Sequence, residues 1–315
     1  MRIFITGACG FVGGHLAYEL ARAYPNALLF GMAHAQESRA GLPPGVHTIN
    51  ADLTNRESVR ASLEIAQPDI VFHLAGFASA AGGDRDKIFR VNVDGTTGLL
   101  ELLTERQTPC RVHLASSGYV YGTTDPTRPA QENEVPHPSG VYAESKWAME
   151  QAAHSFADNG LLSLTVTRSF NHTGPRQTTD FVLPAFARQI ARIERGQEPP
   201  VVKHGNLDAL RDFLHVRDVV RAYRLLLCET APQPWRRINV CSGQGVAIRD
   251  LLEQLVSLSR VPVTLETDPS RLRPSDMPQC VGDPSFLEET TGWRPEIPLS
   301  QTMQETLDWW RAQAD

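Results

Sequence analysis

Lysine is scarce in this chain of 315 residues. It holds 30 Lys and Arg together, yet only three are lysines, at 87, 146 and 203. Each lysine is therefore informative in a way that a surface arginine is not. Cysteine is sparse as well: Cys9, Cys110, Cys228, Cys241 and Cys280 are scattered and form no Cys-x-x-Cys pair. No two of the 10 histidines fall within ten residues of each other. These gaps exclude a zinc motif and a disulfide framework, so no metal is expected. They fit a reducing, cytoplasmic setting. No apolar run approaches the ~20 residues that span a bilayer, and Met1-Arg-Ile-Phe-Ile-Thr-Gly7 reads as a strand rather than a signal peptide. Positive charge is not in excess: 36 acids outnumber the 30 bases, for a net charge of −6. That excludes the global basic signature of a nucleic-acid binder. Hydrophobic content of 41% is ordinary for a globular protein, and this length allows one large or two intimate domains. There is no internal repeat and no low-complexity segment.

What is present begins with a glycine turn. Residues 2 to 6 are a short apolar run, and Thr6 leads into Gly7-Ala-Cys-Gly10-Phe-Val-Gly13-Gly14. Phe11, Leu16 and Leu20 then follow at helical spacing. Strand, glycine turn and helix open a dinucleotide-binding unit. Glycine serves where the backbone turns tightly and approaches a pyrophosphate, and the helix N-terminus offers its free amides. Gly7, Gly10 and Gly13, with Phe11 and Val12, are the candidate cradle. A second strand over 27–32 would normally be followed by an acid that holds the ribose 2′-hydroxyl of NAD. Here the run is Gly31-Met-Ala-His34, with no acid before Glu37. A 2′-phosphate met by His34 or Arg39 fits this better. NADP(H) is therefore the expected cofactor, with NAD(H) left open.

Residues 46–50 read as a third strand, and Thr54-Asn-Arg-Glu57 as a capping box for the next helix. Ile70 to Leu74 is continuously apolar but for His73, as a buried parallel strand requires. It ends in Ala75-Gly76, small residues that let a cofactor approach, and the Ala- and Gly-rich loop 77–83 is placed to cover a substrate. Leu164 to Arg168 is a further strand. Strands alternating with helices at this spacing imply an α/β fold around a doubly wound parallel sheet.

The chemistry centres on Tyr142-Ala-Glu-Ser-Lys146. Positions four apart share a helix face, so Lys146 sits beside Tyr142. A free phenol ionises near pH ~10, and a neighbouring ammonium lowers that value. A phenol tuned in this way gives or takes a proton at neutral pH. The competing reading is an incidental pair on a surface helix. Ser117 argues against it: it closes the run Val112-His-Leu-Ala-Ser-Ser117, which reads as a strand ending in a hydroxyl.

Ser117, Tyr142 and Lys146 together resemble the catalytic set of the short-chain dehydrogenases/reductases, and the spacing Gly-x-x-Gly-x-x-Gly is that family's variant. Longer motifs resemble its extended branch, which acts on nucleotide sugars. Val91-Asn-Val-Asp-Gly-Thr-Thr97, Phe170-Asn-His-Thr-Gly-Pro175, Gly205-Asn-Leu-Asp-Ala-Leu-Arg-Asp-Phe213 and Asn239-Val-Cys-Ser-Gly-Gln244 carry the resemblance, which extends over essentially the whole chain. It is similar in particular to enzymes of GDP-mannose-derived sugars. The resemblance implies that Asp52 contacts the adenine, with Leu53, Leu74, Ala75 and Gly76 beside the cofactor. It makes Asn92 a structural bridge, and places Asn171 near the sugar nucleotide's phosphates, although a turn-capping asparagine is the plainer alternative. Arg211 and Arg273 become the diphosphate clamps, a task for which a bidentate guanidinium is well shaped. On the helix over 181–195, Phe186, Ile190 and Ile193 form the apolar face, and Arg188, Arg192 and Arg195 another. At least two of these arginines read as solvated, while Arg188 and Lys203 join the candidate substrate site.

The implied architecture is a Rossmann domain of residues 1–172 plus returning segments near 213–245. A smaller α/β substrate domain of residues 173–212 and 246–315 interleaves with it. A homodimer through helices near 90–105 and 142–157 follows by family analogy. The implied reaction is reduction of the C4 ketone of GDP-4-dehydro-6-deoxy-D-mannose to GDP-D-rhamnose. Related dehydratases carry an acid two residues after the hydroxyl; here that position is Tyr119, which argues against dehydration. Reduction to the 6-deoxytalose epimer, nucleotide-sugar epimerisation, and a nicotinamide-binding regulatory protein without catalysis stay open.

Overall fold

The computed structural model describes residues 1–34, 36–79, 84–272 and 277–313. The first half supplies strands β1 (Arg2–Thr6), β2 (Leu28–Ala33), β3 (Val46–Asn50), β4 (Ile70–His73) and β5 (Cys110–Ser117), with helices α1 (Phe11–Ala23), α2 (Arg56–Ala66), α3 (Arg85–Phe89), α4 (Gly95–Glu105) and α5 (Val141–His154). Next come β6 (Leu162–Ser169), β7 (Asn171–Thr173), α6 (Val182–Glu194), β8 (Val201–His204), β9 (Leu210–His215), α7 (Val216–Arg224) and β10 (Trp235–Val240). The chain closes with β11 (Gly245–Ala247), α8 (Ile248–Ser257), β12 (Thr264–Thr267), β13 (Gln279–Cys280), α9 (Ser285–Thr291) and α10 (Leu299–Ala312).

Seven strands form one parallel sheet in the order β10-β6-β5-β4-β1-β2-β3. The apolar runs explain this. Ile3, Phe4, Ile5, Val71 and Phe72 are fully buried, because helices cover both faces of a parallel sheet. On one face Leu16 and Leu20 of α1 pack with Val219, Tyr223 and Trp293. On the other, Leu63, Leu99, Leu103 and Met149 pack with Val112 and Leu164. The strand order reverses between β1 and β4, so the crevice beyond their carboxyl ends is where such a sheet takes a ligand. A separate core joins α6, α8 and α10 through Ile190, Leu251, Leu252 and Leu307. Beside it β9 pairs with β7, β11 and β13, and β8 pairs with β12. β10 returns to the large sheet, in register from Trp235 opposite Leu164 to Val240 opposite Ser169.

Two local expectations change. The α2 cap is Asn55, whose side chain accepts the Ser58 amide, while Thr54 turns back and donates to Asp52. An asparagine reaches the third amide of the helix as well as threonine does, so the helix starts one residue later than a Thr54 cap would place it. The helix expected near 90–105 is interrupted: residues 90–94 form a wide π-turn between α3 and α4. Such turns are frequent at functional sites, and this one carries the buried Asn92. Among the described residues, no helix is long and apolar enough to cross a membrane.

Candidate active site

Three strand ends and one helix build the site. β5 delivers Ser117, a buried residue whose Oγ accepts the Tyr119 amide at 3.2 Å. The hydroxyl hydrogen is thereby left to point elsewhere. Gly140, at φ +87°, turns the chain into α5. Tyr142 then falls in the first turn and Lys146 one turn further. Lys146 is 7% exposed, and its Nζ donates to the Ala115 carbonyl at 2.9 Å. Burial pulls its ammonium down to about 8, against the Glu150 carboxylate, which raises it. Tyr142 is a correction. The expectation was a phenol lowered by the neighbouring ammonium; instead burial pushes it up, and hydrogen bonding to Ser117 is the opposing influence. The reason is geometric: the Lys146 ammonium is directed at the end of β5.

Behind these residues lies a layer that the motifs did not reveal. Arg168 of β6, fully buried, donates to Glu150 at 2.8 Å, and the Ser116 hydroxyl donates to Glu150 at 2.6 Å. The Arg168 guanidinium also lies 4.8 Å above the Tyr121 ring. A charged residue near the end of β6, otherwise built of Leu, Val, Ser and Thr, and a glutamate four residues after Lys146 were the available signals. Asn92 accepts the Phe77 amide at 2.8 Å and donates to Ser145 at 2.9 Å, tying the loop after β4 to α5. Gly76, at φ +153°, makes room: a Cβ there would lie 2.7 Å from Asn92 Oδ1.

The glycine turn fits a dinucleotide. Gly7 has φ +68°, and a Cβ on it would meet the Ala75 amide at 2.9 Å; one on Gly13 would meet the Gly7 carbonyl at 2.1 Å. Gly10 directly precedes the first turn of α1, where Phe11 and Val12 are half-buried. Thr6 Oγ1 accepts the Leu74 and Ala75 amides at 3.2 and 3.1 Å, locking the ends of β1 and β4 together. His34 is exposed just past β2, and its amide donates to Glu37 at 2.8 Å. Asp52 is held below the usual carboxylate range, chiefly by the Thr54 amide and hydroxyl. Leu53 beside it is buried.

The candidate substrate residues divide into two groups. Arg188 and Lys203 line one cavity of about 650 Å³ between α6, β8 and β12, together with Arg192, Arg271, Glu198 and Glu266. Arg273, two residues beyond Arg271, lies outside the described residues. Arg211 does not line that cavity. Its guanidinium sits 6.0 Å over the Tyr119 ring, which meets Tyr142 edge-on at 6.5 Å. Arg211 therefore stands on the catalytic side. Asn171 opens β7 opposite Phe213 and is half-buried. Among the described residues, no group of three His, Cys, Asp or Glu could hold a metal ion.

A glycine turn at the reversal of a parallel sheet, facing a Ser–Tyr–Lys set, is the arrangement of a nicotinamide-dependent short-chain dehydrogenase/reductase. Comparison with known proteins narrows this. The chain matches the family described as GDP-mannose 4,6 dehydratase over residues 4–306. It belongs to that family of extended short-chain enzymes, and with it to the oxidoreductases. It is 35% identical over 314 residues to the GDP-6-deoxy-D-mannose reductase of Pseudomonas aeruginosa, covering 99% of this chain and 97% of the relative. It is 28% identical to the GDP-6-deoxy-D-talose 4-dehydrogenase of Aggregatibacter actinomycetemcomitans, covering 93% and 92%. The solved structure of RMD from Pseudomonas aeruginosa complexed with NADPH is similar at a TM-score of 0.84 and 33% identity, with 99% of each chain covered.

Proposed function

We propose that the protein reduces the C4 ketone of GDP-4-dehydro-6-deoxy-D-mannose to GDP-D-rhamnose, with NADPH as reductant. The observation that carries this is the Ser117–Tyr142 pair beside buried Lys146, with Tyr119, not an acid, two residues after Ser117. Ser117, its oxygen already committed to the Tyr119 amide, donates its hydrogen to the ketone oxygen. Tyr142 delivers the proton that converts this oxygen to a hydroxyl. Lys146, held on the Ala115 carbonyl one helix turn from Tyr142, would orient the nicotinamide ribose. A bound reduced nicotinamide supplies the hydride that C4 gains. Gly7, Gly10, Gly13, Phe11 and Val12 would hold the pyrophosphate, and Leu53, Leu74, Ala75 and Gly76 the adenine and nicotinamide sides. Asp52 would meet the adenine and His34 the ribose phosphate. Arg211 and Asn171 would meet the diphosphate from the catalytic side, while Arg188 and Lys203 bind the nucleotide in the cavity; Arg273 is assigned to the substrate by motif alone.

The residues 173–212 and 246–315 are read as the substrate domain, interleaved with a cofactor domain built from the rest. A cytoplasmic homodimer belongs to the same reading, supported by five unpaired cysteines and by family analogy. The talose epimer is the second reading, favoured by the 28% identical 6-deoxytalose dehydrogenase. Purified protein given NADPH and the GDP ketosugar should consume reduced nicotinamide, whereas the dTDP-linked ketosugar should not support it. NMR at C4 of the product separates rhamnose from talose. NADPH binding without oxidation would overturn the reductase assignment.

A further inference from the structure

Gly14 and Arg176 are not explained by the reaction. Arg176 follows Gly174-Pro175 and has φ +77°, a left-handed backbone that residues with a Cβ seldom adopt. Such conformations persist where the surroundings hold them, and they cluster at functional sites. Here the surroundings are specific. The Pro175 carbonyl is hydrogen-bonded to His15 Nε2 at 3.0 Å. The His172 ring stacks on Phe11 at 6.1 Å. A segment of the second half is thus pinned to the first turns of α1.

From there the Arg176 side chain reaches the loop after β2, and its Nη1 donates to the Gly41 carbonyl at 2.8 Å. Two glycines leave room for it. A Cβ on Gly14 would lie 2.7 Å from Nη1, and one on Gly41 only 1.6 Å from Nη2. Gly14 stands just past the cradle glycines, and its lack of a side chain serves this guanidinium. Among the described residues, no carboxylate pairs with Arg176. The Cys9 thiol, inside the glycine turn, is pushed up by burial first and by Glu37 next, while Arg39 and Arg176 act against them. Those three charged groups therefore surround the turn. Glu37 is turned onto the His34 amide, and Arg39 onto Asn50.

We infer that Arg176, supplied from the second half of the chain, binds the 2′-phosphate of the dinucleotide's adenosine and sets the preference for NADP(H) over NAD(H). The inference rests on the nicotinamide reading above but not on the sugar. The pyrophosphate belongs at the N-terminus of α1, whereas the ribose belongs at the end of β2, beside the loop that Arg176 reaches. A guanidinium with one N–H on Gly41 keeps further donors for phosphate oxygens, with geometry suited to them. Binding a 2′-phosphate there would also tie the second half of the chain to the cofactor.

Binding of NADPH and NADH, each titrated by calorimetry without sugar, tests this in the wild type and two variants. Arg176→Gly removes the guanidinium and tolerates φ +77°. Gly41→Ala keeps the arginine but puts a methyl 1.6 Å from where Nη2 lies, so the guanidinium must shift. Each variant should weaken NADPH about tenfold or more, as loss of a charge-assisted contact does, with NADH within about twofold of wild type. Adenosine 2′,5′-bisphosphate should lose affinity with NADPH, and 5′-AMP should not. An equal loss for both dinucleotides, no loss in either variant, or a wild type that binds NADH as tightly as NADPH overturns the inference. If the selective loss is seen but the GDP ketosugar is not reduced, the inference stands and the assigned reaction falls.

Discussion

The buried pair Arg168–Glu150 should be the largest single electrostatic contribution to the stability of the catalytic layer. Arg168 is 0% exposed and Glu150 is 1% exposed, so solvent screening does not discount it. Two guanidinium nitrogens reach the carboxylate, at 2.8 and 3.1 Å, and Ser116 adds a third donor at 2.6 Å. Removing one partner strands the other charge in the core, at a cost of about 3–5 kcal/mol. Arg168→Met and Glu150→Gln should each destabilise by that amount. The double variant leaves no buried charge and should cost little more than either single one, so the coupling should approach the cost of one single variant, about 3 kcal/mol or more. Urea denaturation followed by circular dichroism, with all four proteins at one pH, measures the cycle. Additive losses, with coupling below about 0.5 kcal/mol, would refute the reasoning and show that the two side chains are replaceable separately. Both single variants should also lose kcat, because Ser116 and Ala115, which hold Glu150 and Lys146, lead directly into Ser117.

Three further outcomes follow from the site and the core. Tyr142→Phe should abolish turnover while NADPH binding stays within about twofold; activity above a few per cent of wild type would remove the proton donor from the mechanism. The ammonium of Lys146, pulled down to about 8, is charged below that value. The kcat/KM profile should therefore fall as pH rises past about 8, and a profile flat to pH ~10 would contradict this role for Lys146. His73 and His113 are buried and pulled down to about 3. Below pH ~6.5 the unfolded chain takes up protons there that the folded chain refuses. Their contribution is present above that pH and is lost as pH falls towards 3, so Tm should drop between pH 7 and 5, and His73→Gln should make that drop shallower.

The sequence by itself determined the local elements. Apolar runs at 2–6 and 70–73, a glycine turn at 7–13 and apolar helical spacing along α6 each express a preference of neighbouring residues, and neighbouring residues are what a sequence displays. The same holds for Tyr142 and Lys146, one helix turn apart. The fold class follows, because alternating strands and helices have few ways to bury their apolar faces. Only the tertiary structure decided what meets across distance. It joined Arg188 and Lys203 in one cavity but set Arg211 over Tyr119. It turned Lys146 towards Ala115, so that burial rather than the ammonium governs Tyr142. It filled the space above Gly14 and Gly41 with a guanidinium from position 176. No periodicity encodes these meetings. They arise when packing brings together segments tens to more than a hundred residues apart, and the desolvation and charge that tune each group exist only after that packing.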